Sequence, residues 1–202
     1  MEFQDVVRRR RMVRNYDPGR AVPPELVERI VENAIRAPSA GFSQGWGFLL
    51  LDQREDVDRF WAAATPEAPT MRGWLEGMTR APVIVVPHAN KSAYLERYAA
   101  PDKGWTDRDE ARWPAPYWDI DTGFASLLML LTAVDAELGA CFFGIMPERI
   151  APFKAAFGVP EQFHPIGAIA LGYPAPDTAS PSLKRGRRGV DQVVHRGRWS
   201  GL

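Results

Sequence analysis

Arg10-Arg11-Met12-Val13-Arg14-Asn15-Tyr16 is the stretch around which the rest of the chain can be ordered. It follows a short helical pattern over residues 2–11 and precedes the turn Asp17-Pro18-Gly19. Arg10 and Arg14 are four apart and share a face only while the helix continues. Guanidiniums converging from a helix end suit a phosphate monoester, whose oxygens accept paired N–H donors. Alone, such a cluster reads first as a solvated basic face. A second basic pair, Arg185 and Arg187, lies in a glycine-spaced segment near the other end. In extended backbone these two point the same way and could close the far side of the same anion.

The second informative stretch is Ala37-Pro38-Ser39-Ala40-Gly41-Phe42-Ser43-Gln44-Gly45-Trp46. It joins a helix to an apolar run and offers small residues, the Ser39 hydroxyl, the Gln44 amide and open backbone donors. Flat heteroaromatic rings need such a surface: close backbone approach with a polar group near the ring edge. A plain helix-to-strand loop has the same composition, so context must decide. Gly144-Ile145, after another apolar run, is equally ambiguous: a glycine there admits a ligand or simply ends a strand.

Outward from these motifs, Pro23-Pro24-Glu25 opens a helix carrying Leu26, Ile30 and Ala34 on one side, which stops before Pro38. Buried strands are predicted at 46–51, 82–86, 140–145 and 166–171, each a short apolar run bounded by Gly or Pro. Helical patterns separate them at about 54–64, 70–79, 119–138 and 147–157. The longest is apolar nearly all round and belongs in the middle of a domain or subunit interface. Alternating elements alone suggest an α/β fold with a parallel sheet. Residues 88–118, rich in Tyr and Trp but without clear periodicity, are a candidate lid. The tail after Tyr173-Pro174 reads as an arm wrapping a neighbour.

Composition narrows the function. The 202 residues fit one domain, and 25 basic residues balance 25 acidic ones. A whole-surface nucleic-acid or membrane binder is disfavoured. Cys141, the single cysteine, excludes an internal disulfide and a cysteine-rich zinc site; inside an apolar strand it reads as core. His88, His164 and His195 lack metal-ligand spacing, so no metal is expected. Asp119 and Asp121, at the start of the long helix, read as partners of its dipole. GxxxxGK[ST] and GxGxxG are both absent. The charged start predicts no leader, no membrane span is expected, and the expected compartment is the cytoplasm.

Order and spacing of the motifs resemble the nitroreductase family of FMN-dependent flavoproteins over nearly the whole length. Residues 10–16 match its R-x-S-x-R/K-x-F/Y motif, and 37–46 its A-P-S-x-x-N-x-Q-P-W loop. Asp121 to Leu138 with Gly139-Ala140-Cys141-Phe142-Phe143-Gly144-Ile145 resembles its central helix and following strand. Ile169-Ala170-Leu171-Gly172-Tyr173-Pro174 resembles its G-x-P strand, and Arg185-x-Arg187 its late basic pair.

The resemblance implies an α+β fold: a mostly antiparallel sheet flanked by helices, in an intertwined homodimer with sites between subunits. It implies that Arg10, Arg14, Arg185 and Arg187 hold the FMN phosphate, and that Arg11 and Met12 line the ribityl chain and ring edge. Pro38, Ser39 and Ala40 would contact the isoalloxazine, Gln44 would support the loop, and Gly144 and Ile145 would lie across the ring. The implied activity is NAD(P)H-driven reduction of a flat acceptor such as a nitroaromatic or quinone, by alternating half-reactions without a catalytic side-chain acid or base. Dehalogenating or flavin-cleaving chemistry, or a non-catalytic flavin-binding module, are the alternatives. Three positions depart from the pattern: Met12 replaces the serine, Phe42 the asparagine and Gly45 the proline.

Overall fold

The structure, a computed structural model, describes residues 1–66, 72–177 and 180–199. In chain order its main elements are α1 (Phe3–Arg9), α2 (Pro24–Ala34), β1 (Trp46–Leu51), α3 (Arg54–Ala64) and α4 (Arg72–Met78). They continue with β2 (Val83–Ala89), α5 (Lys91–Ala99), α6 (Tyr117–Asp135), β3 (Gly139–Phe143) and α7 (Pro147–Phe157). The last are β4 (His164–Pro165), β5 (Ala168–Gly172) and α8 (Val190–Val193). Local chemistry sets several ends. Pro24 and Pro147 sit in first turns, where a missing N–H costs nothing, and Gly158 terminates α7 in the left-handed region at φ 61°.

The sheet runs β1-β2-β5-β3, with β4 also on β2, and every strand pair is antiparallel. The fold is therefore α+β, as the resemblance implies, and the parallel sheet suggested by alternation does not form. Two-sided burial explains the discrepancy. Val83 and Val85 of β2 pack with α2 and α6 on one face, while Ile84 and Val86 pack with α3 and α7 on the other. The same alternation sends Ile169 and Leu171 one way and Ala168 and Ala170 the other. Continuous apolar runs thus report helices on both faces; they carry no information about strand direction.

β4 and β5 form one interrupted strand along β2, broken at Ile166-Gly167, where Ile166 N still reaches Pro87 O at 3.0 Å. A side chain on Gly167 would come within 2.5 Å of the Phe142 ring. Cys141 is buried in the core, where desolvation pushes its thiol up. The segment 88–118 is partly regular: β2 extends through Ala89, and α5 follows with Asn90 as its cap, Oδ1 accepting from Ala93 N at 3.4 Å. Among the described residues, no helix is long and apolar enough to cross a membrane.

Candidate functional site

The arm that follows α1 is stitched down on both sides. Met12 forms a parallel bridge with Ala140 of β3, and Val13 N donates to Ala140 O at 3.0 Å. Gly139 makes this approach possible, since a Cβ there would lie 2.8 Å from Val13 Cγ1. Tyr16 then bridges Pro174 antiparallel, flanked by Asp17 N to Tyr173 O at 2.9 Å and Ala175 N to Asn15 O at 3.0 Å. The Tyr16 hydroxyl, fully buried, reaches Val13 O at 2.8 Å and Ala170 O at 3.1 Å. Burial holds this phenol well above its ordinary range. Asp177 Oδ2 accepts from Arg14 N at 2.9 Å, so the tail enters beside the arm.

Arg14 and Asn15 form one wall of a cavity of about 380 Å³, with Trp74, Gly77 and Arg80 opposite and Asp177 beside them. Gly77 sets its width: a Cβ there would lie 2.2 Å from Arg14 O, closer than atoms can approach. Trp74 meets Phe143 edge to face at 5.5 Å, in the apolar cluster that also receives Met12 and Ile145. Met12, Arg14 and Ile145 are thereby brought to one region of the molecule. Gly144, beside them in sequence, is exposed, and a side chain there would meet no atom of the chain within 4 Å. Arg10 is half-buried at the end of α1, while Arg11 lines a separate cavity of about 180 Å³ with Glu137 and Pro174. Arg185 and Arg187 are exposed on either side of Gly186. Among the described residues, none of Arg10, Arg11, Arg14, Arg185 and Arg187 has a carboxylate partner within 4.0 Å. Arg80, in contrast, is held by Glu76 at 3.1 Å and by Asn15 Oδ1 at 3.3 Å.

The loop containing Pro38, Ser39, Ala40 and Gln44 rests on other elements, α5 and α6. Its backbone enters the left-handed region at Gly41 (φ 60°), Phe42 (φ 55°) and Gln44 (φ 48°). Ser39 Oγ accepts from Gln44 N at 3.0 Å, and Ser43 Oγ donates to Ala40 O at 2.6 Å. From α5, Arg97 Nε donates to Gly41 O at 2.9 Å. From α6, Asp121 Oδ2 accepts Ala40 N at 2.8 Å and the Tyr94 hydroxyl at 2.9 Å. Burial first, and then this hydrogen bond, hold the Tyr94 phenol well above its ordinary range, so it is the donor. Pro38 is exposed, Ser39 and Ala40 are half-buried, and Phe42 is 74% exposed.

Asp119 lies in the first turn of α6, as its reading as a dipole partner requires, while Asp121 takes a different role. Asp119 contacts His164 Nε2 at 2.6 Å, and Asp121 is 3% exposed and holds the loop. Trp74, Gly77, Arg80 and Asp177 escaped the sequence reading because α4 docking and the returning tail create the cavity. Nothing in the local pattern of residues 72–80 announces it.

With this geometry established, comparison with known proteins places the chain in a class. The family model described as "Nitroreductase family" matches residues 7–173, so the chain belongs to the nitroreductase family. An NADH dehydrogenase of Thermus thermophilus is 31% identical over 83% of this chain and 84% of its own length. A Methanothermobacter thermautotrophicus protein named "Putative NADH dehydrogenase/NAD(P)H nitroreductase" is 27% identical over 91% of this chain and 83% of its own. Among solved structures, a Desulfovibrio desulfuricans protein described as "a putative nitroreductase in complex with fmn" superposes with a TM-score of 0.71, at 23% identity, over 99% of each chain.

Proposed function

We propose that this protein is a cytoplasmic FMN-dependent oxidoreductase that uses NAD(P)H to reduce a small flat acceptor, such as a nitroaromatic or quinone. The carrying observation is the arm stitched between β3 and the tail, which presents Arg14 to the cavity walled by Trp74 and Gly77. The available groups fit FMN. Guanidiniums with no carboxylate within 4.0 Å among the described residues match its dianionic phosphate, and the half-buried Met12, Trp74 and Ile145 match a flat ring. Arg10, Arg14, Arg185 and Arg187 would hold the phosphate, and Arg11 and Met12 the ribityl side. Pro38, Ser39 and Ala40 would meet the ring, supported by Gln44, with Gly144 and Ile145 across from them. Bound FMN would supply the redox chemistry, accepting hydride from NAD(P)H and reducing an acceptor in a second half-reaction. The chain's own part is orientation, exclusion of water and a positive environment for the reduced, anionic ring; no side chain need act as acid or base.

The arm and the 38–44 loop rest on different elements, so a site using both is best completed by a second copy, and a homodimer is part of the proposal. An apolar face on α6 supports it: Ile120, Phe124 and Leu127 are 36%, 45% and 46% exposed, an expensive surface to leave in water. Purified protein should be yellow or take up added FMN, and anaerobic NADH or NADPH should bleach it rapidly. A colourless preparation that ignores FMN defeats the proposal.

A further inference from the structure

We infer that Asp121 is the positioning residue of the 38–44 loop, fixing through Ala40 and Tyr94 the backbone surface that receives the planar ring. The inference rests on the flavin reading above. Asp121 would not touch the ring; it acts through the loop.

The carboxylate is 3% exposed and, among the described residues, forms no ion pair. One oxygen, Oδ2, takes both neutral donors, Ala40 N–H and Tyr94 O–H. A buried carboxyl group supported by two hydrogen bonds, and by no ion pair among the described residues, is costly compared with an apolar residue of similar size. The loop is what it holds. Phe42 and Gln44 have positive φ without being glycine, conformations that persist only where surroundings impose them. Two further holds come from α5: Arg97 on Gly41 O, and the Tyr98 ring, which would lie 2.7 Å from a Cβ on Gly41.

Gly45 ties this clamp to the departure from the family pattern. A Cβ on Gly45 would lie 2.5 Å from Tyr94 Cε2 and 2.9 Å from Asn90 O. The Tyr94 ring therefore occupies the space that a proline at position 45 would need. Gly45, Tyr94 and Asp121 form one unit: the glycine admits the ring, the ring carries the hydroxyl, and the hydroxyl and loop amide share the carboxylate. The clamp also consumes the Ala40 N–H, leaving the Ser39 hydroxyl hydrogen and the exposed Gln44 amide as side-chain donors of the loop, since Ser39 Oγ is an acceptor toward Gln44 N.

Asp121→Leu and Tyr94→Phe in the full-length protein test this. Leucine is close to aspartate in size but accepts nothing, so both bonds to Oδ2 are lost, whereas asparagine could place its one amide oxygen there and keep them. In the FMN-free protein, hydrogen exchange of a peptide spanning 39–45 should rise at least tenfold in Asp121→Leu and about threefold in Tyr94→Phe. Exchange in β2 should stay unchanged. FMN titration should show affinity weakened about tenfold and threefold respectively, with an altered visible circular dichroism of the bound flavin. Exchange within twofold of the parent, accompanied only by a lower melting temperature, overturns the inference. So does a loosened loop with unchanged FMN affinity and dichroism. Should Asp121→Leu not fold, Tyr94→Phe carries the same readings and the same outcomes. If the parent binds no FMN the functional proposal fails, while loop exchange still decides whether Asp121 holds the loop.

Discussion

At the scale of single residues, the motif around Arg14 divides into side chains that face the cavity and side chains that hold the backbone there. Tyr16 belongs to the second group, its hydroxyl shared between Val13 O and Ala170 O inside the core. Tyr16→Phe should lower stability by about 1–2 kcal/mol in urea unfolding, because buried carbonyls lose their donor. Gly77 makes a sharper case. With its Cβ position 2.2 Å from Arg14 O, Gly77→Ala must push α4 and the arm apart. A cost of about 1–3 kcal/mol is expected, together with weaker FMN binding through displaced Arg14. Unchanged melting and affinity would show that the cavity wall is softer than its packing indicates. Arg14 and Tyr16 were legible in the sequence because a local motif contains them. Gly77 and Asp121 were not: each acts on backbone far away in sequence, at Arg14 and Ala40, and a lone glycine or helical aspartate has many ordinary explanations.

Among the elements, strand and helix positions followed from apolar runs and their Gly or Pro borders, and β1, α3 and α7 begin and end where those borders put them. Direction did not follow, because two-sided burial gives parallel and antiparallel strands the same sequence signature. α5 was hidden by aromatic residues that pack sideways onto one another, as Tyr98 does with Trp113 at 4.6 Å, rather than along one helical stripe. β2, buried at every residue, carries a titratable group: His88 donates from Nδ1 to Val86 O at 2.8 Å and stacks on Phe153 at 5.8 Å. Burial pushes its pKa from 6.5 down to about 4. Falling pH therefore protonates His88 in the unfolded chain before the folded one, and the unfolded state gains protons. Stability on this account is complete above pH 6.5 and declines toward pH 4, by at most about 3 kcal/mol. His88→Phe should flatten the stability slope in that window by up to one proton's worth. Parallel slopes for parent and variant would mean that the imidazole titrates normally in the fold.

For the whole molecule, the central question is how the proposed site is completed, since its two parts rest on separate supports. The arm with its cavity depends on β3, α4 and the tail, whereas the 38–44 loop depends on α5 and α6. α6 also carries Ile120, Phe124 and Leu127 into solvent, and the neighbouring α1 adds Phe3 and Val7 at 65% and 44% exposure. The sequence announced a helix apolar nearly all round, for the middle of a domain or a subunit interface, and within one chain it packs on α2 and the sheet. Pairing of two copies through this face would bury the rest and bring each loop toward the other copy's arm. Phe124→Glu with Leu127→Glu should leave the single-chain core intact, since both side chains are already exposed, while like charges block the face. On the proposed pairing, sedimentation should show a dimer for the parent and a monomer for the variant, with near-parental far-ultraviolet circular dichroism. FMN affinity should fall at least a hundredfold, because each copy keeps only half of the contacts. A monomeric variant that still binds FMN like the parent would place the whole site within one chain and remove the reason for the pair.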